Sequence, residues 1–260
     1  AYGFVFLLFA LPHSLLIKKN TMALGDKKLA DATVSSNKKK EDSIGDTIKT
    51  IFWALLFAGL IRTLLVQPYW IPSGSMKDTL LIGDFLFVNK MAYGYSKHSC
   101  PWSLCPFSGR IFSKEPKRGD VVVFKHPTTG ADFIKRLVGL PGEKIQMKDG
   151  YLYINNIKVN QISDGVFEER NEIQGPMQSS RPACSKPTGM GMICTKEKFI
   201  SELPNGVSHS VLNVSSGQSL DNTGIYSVPD NHYFFMGDNR DNSADRRGLK
   251  PRGIGFVPLE

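Results

Sequence analysis

Residues 48–66 form an apolar run interrupted only by Lys49 near its start and Arg62 near its end. About 20 such residues are needed for a helix to cross a bilayer. The run therefore predicts a transmembrane helix, with a buried core helix as the competing reading. Lys18, Lys19, Lys27, Lys28, Lys38, Lys39, Lys40 and Lys49 precede or open it, the asymmetry that holds a flank in the cytoplasm. Arg62 is close enough to the far interface to reach water with its guanidinium. Tyr69 and Trp70 follow, where an interfacial aromatic belt belongs. Everything after Gln67 is thus expected outside the cytoplasm.

Much of the net charge of +8 sits in that N-terminal block. It lacks the interleaved aromatics of a base-stacking surface and suits a membrane flank rather than nucleic acid. A composition of 41% hydrophobic and 22% charged residues excludes a many-span transporter. At 260 residues the chain can bury one core, or one core and a smaller satellite. Residues 1–21 hold another apolar run, broken by Pro12, His13 and Ser14. It reads as a first span, an uncleaved signal-like segment, or sequence upstream of a start at Met22. Residues 22–47 read as a polar cytoplasmic tail.

Beyond Gln67 the pattern turns to β. Runs at 84–88, 120–124, 133–138 and 151–154 alternate or concentrate β-branched and aromatic residues between turn formers. Residues 67–154 and 225–260 are expected to form one β domain. The polar stretch 155–224 is expected to be a smaller inserted β region. The four cysteines fall as local pairs, Cys100 with Cys105 and Cys184 with Cys194. Three pairings are possible, and the short loops favour the sequential one. A zinc site lacks the usual spacing and a histidine partner. Disulfides imply an oxidising compartment.

Two features carry chemistry. Ser73 and Ser75 flank Gly74 just past the apolar run. A serine needs a base, and the other hydroxyl could help a backbone amide hold an oxyanion. None of the five histidines stands in a triad-like setting: His13, His98 and His209 fall in doubtful or loop-like sequence, and His126 and His232 lie near strands without an acid partner. Lysine is the alternative, provided burial lowers its pKa. On a strand Phe133, Lys135 and Leu137 share a face, so the Lys135 stem would lie between apolar side chains. Lys125, at a strand end, is the rival. The acidic loop 237–245 resembles a calcium loop, but Arg240 takes a ligand position and no closing glutamate follows. As a polar network, it could pair Asp245 with Arg247 and set Ser243 against a nearby amine.

Five runs occur together and in order: Ile71-Pro72-Ser73-Gly74-Ser75-Met76, Leu81-Ile82-Gly83-Asp84, Arg118-Gly119-Asp120-Val121-Val122-Val123-Phe124, Ile134-Lys135-Arg136-Leu137-Val138-Gly139-Leu140-Pro141-Gly142, and Gly237-Asp238-Asn239-Arg240-Asp241-Asn242-Ser243-Ala244-Asp245. In this the chain resembles the bacterial type I signal peptidases from about residue 62 to 258, except in the inserted region. The resemblance implies a mainly β, membrane-anchored antiparallel catalytic domain with an inserted β region and one or two N-terminal spans. It implies Ser75 as nucleophile, Lys135 as general base, Ser73 at the oxyanion hole, Ser243 orienting the amine, and Asp245 with Arg247 as a brace. Ile71, Met76, Leu80 and Ile134 would line shallow pockets for small side chains. No cofactor or metal is expected. The implied partners are preprotein signal peptides, the lipid bilayer and the export machinery, at the outer face of a bacterial cytoplasmic membrane. A different serine–lysine protease and an inactive signal-peptide-binding protein are the alternatives. Two departures stand out: Asp78 occupies a position where the family usually has proline, remote from the chemistry, and, more seriously, residues 248–254 separate Arg247 from Gly255-Phe256-Val257-Pro258. Relatives also continue past the position of Glu260, which puts the Asp245–Arg247 brace and the last strand to the test.

Overall fold

Turn formers punctuate the β-rich runs closely enough that strands stay short and pair with near neighbours. The computed structural model describes residues 2–6 (backbone), 44–96, 99–100, 108–175, 181–245, 247 and 253–259. In chain order come strand β1 (Tyr2–Phe6), helix α1 (Ile44–Leu64), β2 (Val66–Trp70) and β3 (Phe85–Asn89). Two short strands, β4 (Tyr95–Ser96) and β5 (Arg110–Ile111), precede β6 (Val121–Lys125) and β7 (Asp132–Gly139). Next are β8 (Lys144–Lys148), β9 (Tyr151–Ile154), β10 (Ile157–Lys158) and the long β11 (Asn160–Arg170). The last are β12 (Ile193–Glu202), β13 (Ser208–Asn213), β14 (Tyr226–Ser227), β15 (His232–Met236) and β16 (Val257–Pro258).

The main sheet has seven strands in the order β16-β15-β7-β6-β1-β3-β2, and every neighbouring pair is antiparallel. The fold is mainly β and antiparallel, as the pattern predicts. β6 pairs with β7 so that Val122 faces Lys135 and Phe124 faces Phe133. That face joins Val122, Phe124, Leu137, Tyr233 and Phe235 in one buried cluster. The opposite face, through Val123 and Ile134, joins Ile71, Met76, Leu80, Leu86 and Val88 in another. Strand β7 therefore runs between two apolar masses. The polar side chains on its buried half, Lys135 and Arg136, lose water.

The chain divides into one unit of Ala1–Leu7 with Ile61–Glu260 and a second of Leu8–Leu60. Helix α1 starts four residues earlier than the sequence predicts, because Ile44 to Thr47 join its first turn, with Thr50 Oγ1 donating to the Asp46 carbonyl at 2.9 Å. It ends at Leu64, since Val66 is already the first residue of β2. None of its residues is buried. A core helix would be, so the competing reading fails, and the 21 residues suit a bilayer's thickness.

Within the segment 1–21, the described residues 2–6 depart further from expectation. Tyr2–Phe6 is a strand inside the main sheet, between β3 and β6, rather than the start of a span. The rest of that segment and the lysine-rich tail lie outside the described residues. The sheet β11-β12-β13 falls within the stretch read as inserted. β10, also in that stretch, pairs instead with β9.

Cys184 and Cys194 form a disulfide. Cys100 is also disulfide-bonded, while Cys105, its expected partner, lies outside the described residues. Closing a loop between residues 10 apart in sequence contributes about 3 kcal/mol in the chain-entropy model. Cys184→Ala/Cys194→Ala should lower the unfolding free energy by roughly that amount, read from denaturant midpoints with and without reductant.

Candidate functional site

The connection from β2 to β3 is closed at its neck by Ile71 N donating to the Asp84 carbonyl at 3.0 Å and Gly83 N to the Ile71 carbonyl at 2.9 Å. Beyond the neck, Met76 and Leu80 are wholly buried in the cluster under the sheet. They pull the single turn Gly74–Met76 down onto β7. Ser75 is 6% exposed as a result. Asn239 pins the same turn: its amide N donates to the Ser75 carbonyl at 3.1 Å and its Nδ2 to the Gly74 carbonyl at 3.0 Å.

Lys135 meets this turn from β7. Its Nζ is 2.5 Å from Ser75 Oγ, and the residue is 3% exposed. The amine sits 5.6 Å from the Phe133 ring centroid, on the face predicted from strand alternation. Burial drives its pKa down to about 8, against the opposing pull of Asp245 and Asp238. Lys90 is pushed to about 8 as well, by burial and by Arg62, but its Nζ donates to the Ser99 carbonyl at 2.6 Å. Geometry, not basicity, singles out Lys135. The rival Lys125 is partly exposed and paired with Asp132 at 2.8 Å.

The histidines do other work. His126 Nδ1 accepts from the amides of Thr128 and Thr129 at 3.1 and 3.2 Å, capping a turn. His232 Nδ1 lies 2.8 Å from the Asp230 carbonyl. His209, expected in a loop, is buried on β13. Burial holds it neutral, with a pKa near 3. His13 and His98 lie outside the described residues.

The loop 237–245 is a buried polar network. Arg247 Nε and Nη2 donate to the two Asp245 carboxylate oxygens, both at 2.9 Å. Asp245 also accepts from Gly237 N at 3.2 Å. Burial alone would raise the Asp245 carboxyl, but Arg247 holds it below the usual range. The brace is thus formed despite the departures downstream, and β16 pairs with His232 and Tyr233. Ser243 is the exception. Its Oγ is buried and has no hydrogen-bond partner among the described residues, so the contact with the amine expected of it is not made here. Ser73 is exposed, with its Oγ 3.4 Å from Ser75 Oγ. Ile71, Met76, Leu80 and Ile134 do come together, in the cluster beneath the turn. Among the described residues no three or more His, Cys, Asp or Glu side chains converge on a point where a metal ion could sit.

Sequence reasoning gives no role to Asp238 and Arg136, yet they tie the loop to β7. Arg136 Nε and Nη2 donate to Asp238 at 2.8 and 2.7 Å, and Thr79 Oγ1 donates to the same carboxylate at 2.5 Å. The adjacency of Lys135 and Arg136 on a strand was the available signal, since neighbours there point to opposite faces.

A serine hydroxyl in contact with a desolvated amine can be deprotonated and attack an acyl carbon. The family model described as "Signal peptidase, peptidase S26" matches residues 44–260. A signal peptidase I of Rickettsia typhi is 35% identical over 233 residues, covering 86% of this chain and 79% of the relative. That of Rickettsia akari is 37% identical over 227 residues, covering 82% and 76%. A solved signal peptidase I from Enterococcus faecalis V583 matches 56% of this chain and 92% of its own at 23% identity, with a TM-score of 0.27, too loose an overlay to bear on the site. With matches of this extent to the family model and to curated relatives, the chain belongs to the signal peptidase family, peptidase S26, and is a serine endopeptidase.

Proposed function

We propose that this protein cleaves signal peptides from exported preproteins, with Ser75 as nucleophile and Lys135 as its general base. The observation that carries this reading is the 2.5 Å approach of a buried lysine amine to the Ser75 hydroxyl. Neutral Lys135 accepts the hydroxyl proton as Oγ bonds to the scissile carbonyl carbon. The carbonyl oxygen becomes an oxyanion, held by the Ser73 hydroxyl and the backbone amide of Ser75. On collapse the peptide C–N bond breaks, and Lys135 returns the proton to the departing amine. Water, deprotonated by the same amine, then hydrolyses the acyl-enzyme. The cluster of Ile71, Met76, Leu80 and Ile134 gives an apolar floor that suits small substrate side chains near the cut.

Helix α1 serves as the anchor in this reading, with its lysine-rich flank in the bacterial cytoplasm and the β domain on the outer face of the inner membrane, where the export machinery delivers its clients. Exposed Trp70 and Phe85 stack with centroids 5.7 Å apart, and Phe87 and Leu81 are exposed beside them in sequence. An apolar patch of that kind suits contact with lipid.

The test is preprotein cleavage in detergent by the native chain and by Ser75→Ala. The variant should show no cleavage above background; cleavage at the native rate refutes the assignment. Activity should also rise with pH as the Lys135 ammonium deprotonates near 8 and level off above it. A profile controlled near the ordinary histidine value, about 6.5, and lost on replacing His126 or His232, contradicts the mechanism.

A further inference from the structure

The two residues that follow the nucleophile turn both run into the inserted β11–β12 hairpin. Lys77 is 3% exposed. Its ammonium forms an ion pair with Glu169 and donates to Gln174 Oε1 at 2.7 Å. The other Glu169 oxygen takes Lys196, a wholly buried residue of β12. Asp78 pairs with Lys198 at 2.9 Å, and Lys198 reaches Asp164 of β11 at 3.2 Å. Lys196 and Lys198 are two apart on a strand and so face the same way. The dipeptide Lys77-Asp78 therefore meets an acid and then a base, in complementary order.

The grip extends to the backbone around Ser75. A Cβ placed on Gly74 would meet the Lys77 stem at 3.2 and 3.3 Å, so that stem packs directly over the residue before the nucleophile. A Cβ on Gly175, next to Gln174, would lie 3.3 Å from the Pro72 carbonyl. Burial lowers Lys196 despite Glu169, while the two ammonium groups and Gln174 hold Glu169 below its usual range against the same burial. Two buried ammonium groups sharing one carboxylate are a poor way to gain stability, since an apolar substitute does as well. They are a good way to fix a position, because each charge has only one satisfactory place.

We propose that Glu169 and Lys198 are positioning residues for Ser75. The inserted hairpin holds Lys77-Asp78 through these pairs, and this sets the Ser75 hydroxyl against the Lys135 amine. The proposal rests on the serine–lysine reading given above. The inserted region then takes part in cleavage without touching the substrate.

The experiment is a double-mutant cycle on the full chain in detergent: Lys77→Met, Glu169→Gln and the pair, with Lys198→Met and Ser75→Ala alongside. Each of the first two should lower kcat by about 10-fold to 100-fold and leave KM within about twofold. The pair should be no worse than the weaker single variant, because they remove one shared contact. Lys198→Met, which is less buried, should lower kcat a few-fold. Native kcat in all of these, with only a lower unfolding temperature, shows a structural staple and overturns the proposal. Additive losses in kcat overturn it too. If Glu169→Gln does not fold, Lys77→Met decides alone, since it leaves the Glu169–Lys196 pair in place: a lower kcat supports the proposal and a native one refutes it. Should Ser75→Ala cleave at the native rate, the serine–lysine reading itself has failed. Should Ser75→Ala be dead while Lys77→Met and Glu169→Gln keep native kcat, the positioning role alone falls.

Discussion

Lys135→Met is expected to abolish cleavage and at the same time to stabilise the protein. Removing the base in contact with Ser75 should lower kcat by roughly 10³-fold or more. The stability gain follows from the pKa. A fall from the ordinary 10.5 to about 8 means that below pH 8 the folded chain carries a cation its surroundings disfavour by about 3 kcal/mol. Methionine fills similar space without the charge, and gives up only the hydrogen bond to Ser75, worth about 1 kcal/mol. The sign is fixed by linkage. Between pH 8 and 10.5 the unfolded chain holds the proton and the folded chain does not, so native stability rises with pH across that window. The variant has no such rise. Its advantage should be full near pH 7 and vanish by about pH 10.5, as read from urea midpoints across that range. Equal midpoints at pH 7 would show that the amine is not desolvated.

Gly237→Ala should be nearly as damaging to activity, through space alone. A Cβ at this position falls on the Ser243 side chain and 2.6 Å from the Ser75 carbonyl. The carbonyl cannot swing aside, because Asn239 N holds it at 3.1 Å. The turn carrying the nucleophile must therefore shift. A displacement near 1 Å lowers a rate about 100-fold, and overpacking of this kind destabilises by about 1–3 kcal/mol. The expected result is a kcat lower by roughly two orders of magnitude with KM little changed. Adding Ser243→Gly removes the side-chain half of the clash and leaves the carbonyl half, so the double variant should recover little. Native activity in Gly237→Ala would mean that the loop and the turn are not in register as described.

Much of the site is legible in the sequence because its parts are local. Strand alternation puts Lys135 between Phe133 and Leu137, and a short turn after an apolar run places Ser75. The mutual placement of the two is not local, and without the family pattern an alternating strand and a Ser-Gly-Ser turn would have stayed unconnected. Ser243 shows the opposite limit: its position in the loop follows the pattern, but a hydroxyl's partner depends on a rotation no pattern encodes. Glu169 left no trace at all. Its partner Lys77 is 92 residues away, and a glutamate on a polar strand reads as solvated. His209 was misread for a related reason, since Ser208-His209-Ser210 looks like a loop until packing buries it. Tyr2–Phe6 failed because a short apolar run has the same composition in a span as in a central strand.

That last strand has a consequence for how the chain threads a bilayer. β1 precedes helix α1, and its neighbours β3 and β6 follow it, yet all three are hydrogen-bonded in one sheet. A sheet cannot straddle lipid, so the polypeptide must leave Phe6 and arrive at Val66 in the same aqueous compartment. Phe6 and Val66 thus share one side of any membrane the protein meets, and an accessibility label placed at either should report the same compartment.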